Sequence, residues 1–157
     1  MTQNGDTALY DKYVEHLKTA KTSGEYYGYL GSLSLFPDPA LTKRTFDLVL
    51  SPAVRNQDMF TLVGAMANPD TQTTAWDLFK ADYPQITAKI DASLGGALVQ
   101  LAGIFCDAKL RDDSLKFFED KHLPGSERML ENAKDQVNAC IALRAEQQSK
   151  LSVYLKH

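Results

Sequence analysis

Two cysteines, one tryptophan and three histidines are all that 157 residues supply of the side chains that most often mark a site. The histidines, His16, His122 and His157, stand alone. A zinc site of the His-Glu-x-x-His kind needs two imidazoles one helical turn apart, so we expect surface histidines and no metal or other cofactor in this chain. No glycine-rich loop ends in Lys-Ser/Thr, and no Gly-x-Ser-x-Gly elbow exposes a serine, which leaves neither a phosphate cradle nor an activated nucleophile to argue from. Basic residues are scattered among acids and the formal charge is −3, so there is no positive field for nucleic acid. The longest apolar run, residues 95–105, is broken by Gln100 and is too short to span a bilayer. Residues 1–6 are polar and lack the pattern of a leader, so we expect a soluble chain, cytoplasmic in preference to secreted, with no membrane partner. Cys106 and Cys140 each lie in apolar helical surroundings and are expected to be small buried hydrophobes, unbridged.

What the chain does have is helical periodicity. No stretch alternates in the period-two manner of a strand, and each interval between turn signals is helix-sized. Leu9, Tyr10, Tyr13, Val14 and Leu17 line one stripe over residues 7–21; a tyrosine-rich helix is expected at 25–35, another at 39–50, and an apolar one at 58–67. Leu94, Leu98, Leu101, Ala102 and Phe105 mark a later stripe, residues 107–113 read as a loop, and Leu115 with Phe117 and Phe118 mark a short helix at 114–120. Leu123-Pro124-Gly125 reads as a corner before a last helix whose apolar face runs from Met129 to Ile141. The length fits one domain, 1–157, with a core of its own.

Two segments echo each other. Asp38-Pro39 and Asn68-Pro69 each pair a good N-cap residue with a proline suited to the first helical turn. The same thirty-residue step separates Pro39 from Pro69 and Phe46 from Trp76. Self-similarity at that period is the mark of stacked helical repeats, so the expected fold is all-α, an αα-superhelix of antiparallel helix pairs with eight or nine helices. In that frame Trp76, Ala75 and Phe79 are core, with Asp77 and Lys80 toward water.

The link 53–58, Ala-Val-Arg-Asn-Gln-Asp, is polar between two hydrophobic helices. Arg55, Gln57 and Asp58 either present side chains to a partner or act locally, Asp58 as a helix cap and Arg55 in an ion pair. Tyr26, Tyr27 and Tyr29 are read as packing surface with hydroxyls at the water edge. From the residues alone, the chain is a helical module without an active site.

A resemblance carries further. Asp38-Pro39-Ala40-Leu41, the run Leu48 to Asp58 with its Val54-Arg55-Asn56-Gln57-Asp58, Asn68-Pro69 with Ala75-Trp76-Asp77-Leu78-Phe79-Lys80, and Pro124-Gly125-Ser126-Glu127-Arg128 occur in an order that resembles the C-terminal helical domain of zinc aminopeptidases. These are the enzymes related to puromycin-sensitive aminopeptidase, aminopeptidase N and the endoplasmic-reticulum aminopeptidases. The resemblance implies a HEAT- or armadillo-like superhelix, here the later part of a larger C-terminal domain, packed beside a thermolysin-like catalytic domain. Such a domain closes one wall of the cavity that peptides enter. It also implies that zinc sits in the catalytic part, because the family's His-Glu-x-x-His and Gly-x-Met-Glu-Asn motifs have no counterpart here. The chain would then be non-catalytic, with the catalytic domain and peptide substrate as partners and Arg55, Gln57, Asp58, Glu127 and Arg128 as candidate contacts. A free-standing repeat module that binds protein or peptide is the alternative, and an exposed end of the array leaves a homodimer open.

Overall fold

A computed structural model describes residues 5–90, 95–121 and 126–155. Among these the chain is all-α, as expected: α1 (Thr7–Thr19), α2 (Ser23–Leu33), α3 (Pro39–Leu50), a 3₁₀ segment Asn56–Leu62 leading into α4 (Val63–Ala67), α5 (Gln72–Ala81), α6 (Tyr83–Lys89), α7 (Gly95–Val99), a second 3₁₀ segment Gln100–Gly103, α8 (Ala108–Lys121) and α9 (Glu127–Tyr154). His122, His157, Leu94 and the 123–125 corner lie outside the described residues. The chain divides into two compact units, Met1–Asp91 and Ala92–His157.

In the first unit α1 packs on α2, and α3 packs on α5, α6 and the first 3₁₀ segment. Its core is Tyr10, Leu30, Leu33, Phe36, Phe46, Val49, Trp76, Phe79 and Ile86, all essentially without solvent contact. Phe46 and Trp76, the pair matched by the thirty-residue step, are thus both interior. Each side chain of that size contributes roughly 1.5–3 kcal/mol by leaving water. One polar node is buried with them. The Thr45 hydroxyl bonds the Leu41 carbonyl (3.0 Å) and the Leu33 carbonyl (3.2 Å), so its single proton is engaged, and the Tyr10 hydroxyl, 3.0 Å away, serves as donor to Thr45. That node ties α1 and the end of α2 to α3.

Helix starts follow their caps. Asp38 accepts from the Ala40 N–H at 2.7 Å with Pro39 in the first turn, and Thr22 with Glu25 forms a reciprocal capping box. Asn68 behaves differently from its counterpart. Its side-chain oxygen accepts from the Asp70 N–H (3.0 Å), which makes a turn, and α5 starts only at Gln72. The buried Thr71 hydroxyl meanwhile donates to the Ala65 carbonyl at 2.8 Å and locks that turn to α4. Residues 107–113 are not a loop: Asp107 accepts from the N–H groups of Lys109 (2.9 Å) and Leu110 (3.0 Å), which starts α8 at Ala108. Within the segment read as apolar, Phe60 is exposed while Met59 and Leu62 are buried.

In the second unit α9 is the spine, unbroken to Tyr154, with α7, the second 3₁₀ segment and α8 packed on it. Ala133 and Val137 are buried along its inner face. At Gly103 an added Cβ would meet Gln136 Oε1 at 3.0 Å and the Ala133 Cα at 3.3 Å, so the 3₁₀ segment lies tightly against α9 at this position. Farther along, Arg111 donates to Asn138 (2.9 Å). The expectation of unbridged cysteines is corrected here: Cys106 and Cys140 form a disulfide with their Cα atoms 5.5 Å apart. They are half-buried, Cys106 just before α8 and Cys140 on α9. Tertiary packing brings together two elements whose sequence contexts look merely apolar.

Candidate functional site

The link that the sequence singles out is built by three elements. Leaving α3 at Leu50, the chain turns through residues 51–55 and enters the 3₁₀ segment, and Lys89 at the end of α6 holds that turn. Its Nζ donates to the carbonyls of Val49 (2.8 Å), Ser51 (2.8 Å) and Val54 (3.0 Å). Burial pushes the Lys89 ammonium below its ordinary pKa, but all three of its protons have acceptors. The free carbonyls at the end of α3 are thereby satisfied from another helix.

Arg55 then lies across α2. Its Nε donates to Asp58 Oδ2 at 2.7 Å and its Nη2 donates to the Tyr27 hydroxyl at 2.8 Å, while that hydroxyl donates to Asp58 Oδ1 at 3.2 Å. The guanidinium carbon stands 5.2 Å from the Tyr26 ring centre and 5.7 Å from that of Tyr27. The Asp58 side chain is 2% exposed and that of Arg55 58% exposed, so the acid is the anchor and the base its solvent-facing cover. The Tyr26 hydroxyl is buried against this group without an aligned hydrogen bond.

Burial alone would raise the Asp58 carboxyl, but the hydrogen bonds from Arg55 and Tyr27, with the Tyr26 hydroxyl nearby, outweigh it and hold the pKa below 3.8. A depressed carboxylate contributes stability that is fully present above the unfolded pKa and is lost as the pH falls through the folded value. We therefore expect wild-type protein to lose more stability than Asp58→Asn as the pH is taken below about 4, measured by urea melts at each pH. Parallel pH profiles for the two proteins would show that the network does not lower the Asp58 carboxyl.

Beside this network a cleft of about 340 Å³ is lined by Lys21, Thr22, Ser23, Tyr26, Ala53 and Arg55. It offers two cations and several hydroxyls, a lining suited to an acceptor-rich group. Gln57 lies outside it, exposed on the first turn of the 3₁₀ segment. Glu127 and Arg128 belong to the second unit, where both are exposed at the start of α9. Of the five sequence candidates, then, only Arg55 and Asp58 are joined. The participation of Tyr26 and Tyr27 was missed, as was that of Lys89; the tyrosines precede Arg55 by a helix and a half, and nothing local links them. Tyr29 is different, packing edge-on to Tyr13 (5.5 Å) and stacking on the exposed His16 (5.2 Å).

These features define a helical scaffold with a polar, well-anchored link and, among the described residues, no three His, Cys, Asp or Glu side chains gathered for a metal. The family model of the ERAP1-like C-terminal domain matches residues 1–139, and the chain belongs to that family. It is similar to Aminopeptidase M1-A of Oryza sativa subsp. japonica, 32% identical over 120 residues, which is 73% of this chain and 13% of the relative. Aminopeptidase M1-C from the same organism is 23% identical over 130 residues, 82% of this chain and 15% of the relative. The chain therefore spans about a seventh of the length of these relatives. No described helix is long and apolar enough to cross a membrane.

Proposed function

We propose that this chain is the non-catalytic C-terminal part of a zinc aminopeptidase, a stretch of αα-superhelix that packs on a catalytic domain and forms part of the wall of its peptide cavity. The observation that carries the reading is the family match over residues 1–139, joined to relatives that are named aminopeptidases and are several times longer than this chain. Zinc and the bond-breaking groups belong in this reading to the catalytic domain.

The site geometry sorts the candidate contacts. Arg55 has its charge largely matched by Asp58, which suits it to holding the link in shape and presenting its outer edge. Gln57, Glu127 and Arg128 have exposed side chains free to meet a neighbouring domain or peptide. The purified 157 residues, supplied with zinc, are expected to leave aminoacyl-arylamides intact. Metal-dependent turnover by this chain would overthrow the proposal. An upstream reading frame that lacks a His-Glu-x-x-His segment would favour a free-standing peptide-binding module instead.

A further inference from the structure

The cleft of about 340 Å³ beside Arg55 gathers hydrogen-bond donors. Three chain segments supply them: Lys21 and Thr22 from the turn between α1 and α2, Ser23 and Tyr26 from α2, and Arg55 from the link after α3. Lys21 and Ser23 are exposed, and their side chains make no hydrogen bond or ion pair within the described protein. Thr22 Oγ1 accepts from the Glu25 N–H at 3.2 Å, so its own proton is left to donate. Arg55 engages Asp58 through Nε and Tyr27 through Nη2, and the protons of Nη1 remain. The Tyr26 hydroxyl adds a separate sign of a missing partner, since it is buried and has no aligned hydrogen bond.

Donors set out in this way select their ligand. Arg55 is already held by Asp58 and Tyr27, and Thr22 by its capping box, so neither loses much freedom when a ligand arrives. Two carboxylates stand close by, but both are turned to the protein's own donors. Glu25 Oε2 accepts from the N–H groups of Lys21 (2.8 Å) and Thr22 (3.3 Å), and Asp58 is engaged by Arg55 and Tyr27. Their charge offsets part of that of Lys21 and Arg55, which keeps the expected affinity modest. A carboxylate presents its two oxygens in one plane, whereas a phosphate group presents several around a tetrahedral centre and carries more charge. Donors from three segments, two of them cationic, match the phosphate. The volume lies at the low end of the range for ligand pockets, about 300–1,000 Å³, and leaves room for a few atoms beyond the phosphate itself.

We infer that this cleft binds a phosphate group, free or at the end of a small molecule, with Lys21 and Arg55 meeting its charge and the hydroxyls of Thr22, Ser23 and Tyr26 meeting its oxygens. The inference stands apart from the zinc-peptidase reading, since either can fail and leave the other intact. The test is a titration of ¹⁵N-labelled protein with inorganic phosphate, and separately with glycerol 3-phosphate, at constant ionic strength. It is followed at the backbone amides of residues 21–23 and at Arg55 Nε. Saturable shifts at these positions are expected with both compounds. Tighter binding of the ester would identify a phosphorylated small molecule as the occupant, and tighter binding of inorganic phosphate the free ion. Acetate should bind at least about tenfold more weakly than phosphate. Lys21→Ala should weaken phosphate binding about fivefold and Ser23→Ala about threefold, with circular dichroism and melting temperature unchanged because neither side chain holds the fold. The inference is overturned by the absence of saturable shifts at about 50 mM of either compound, by equal affinity for acetate, or by undiminished binding when Lys21→Ala and Ser23→Ala are combined.

Discussion

Trp76→Ala is expected to destabilise the protein by about 3–5 kcal/mol, the range for removing a large aromatic from a closed core. The indole has no solvent contact and stacks on Phe79 with ring centres 5.3 Å apart, and the Lys80 ammonium stands 5.6 Å over it. Alanine would leave a void bordered by α3 and α5, whose helical backbones cannot collapse far into it. For a chain of this size the loss corresponds to a fall in Tm of about 10 °C. Because the substitution removes the sole tryptophan, the transition has to be read by circular dichroism. Trp76→Phe should retain most of the stability, since a ring still fills the space. A loss below about 1 kcal/mol for alanine would mean that the interior reorganises freely around this position.

The second large effect concerns Cys106–Cys140. The bridge closes a loop with a sequence separation of 34, for which chain-entropy reasoning gives about 4 kcal/mol of stabilisation. Cys106→Ser, Cys140→Ser and wild-type protein in dithiothreitol are expected to show the same loss in urea melts. The double serine variant should be no worse than either single one, because each alone already opens the bridge. Titration of oxidised wild-type protein under denaturing conditions should find no free thiol. Melts that do not respond to reductant would show that α8 and α9 hold each other without the bond. The bridge weighs against the expectation of a cytoplasmic chain, since such bonds are rare in the cytosol.

How much of this could be read from the sequence depended on whether the cause was local. The stripe of α1, the cap-and-proline start of α3 and the buried face of α5 each follow from residues within a turn or two of one another. Asp38 and Asn68 show the limit. Both precede proline and both can cap, but the Asn68 amide turns onto Asp70 and the Thr71 hydroxyl is drawn to the Ala65 carbonyl, a contact that exists only once α4 is in place. Asp107 was legible in principle as a cap, with Leu110 three residues on, but its polar neighbours mask the start of α8. At the candidate site, Arg55 with Asp58 is a three-residue pair that sequence could supply. The hydroxyl of Tyr27 completes it from another helix, and Cys106 meets Cys140 only through the packing of α9.

Lys89 gives the link a property that its own residues do not possess. One ammonium from α6 grips Val49, Ser51 and Val54 at once, so the path from α3 to Arg55 is set by a residue more than thirty positions downstream. The contacts run through backbone carbonyls, which every amino acid has, so the exposed side chains of the link can vary while its course is kept, the buried Val54 and Asp58 staying fixed. The segment is thus a cassette: its outward chemistry can be exchanged residue by residue, provided the lysine that clamps it travels with the graft.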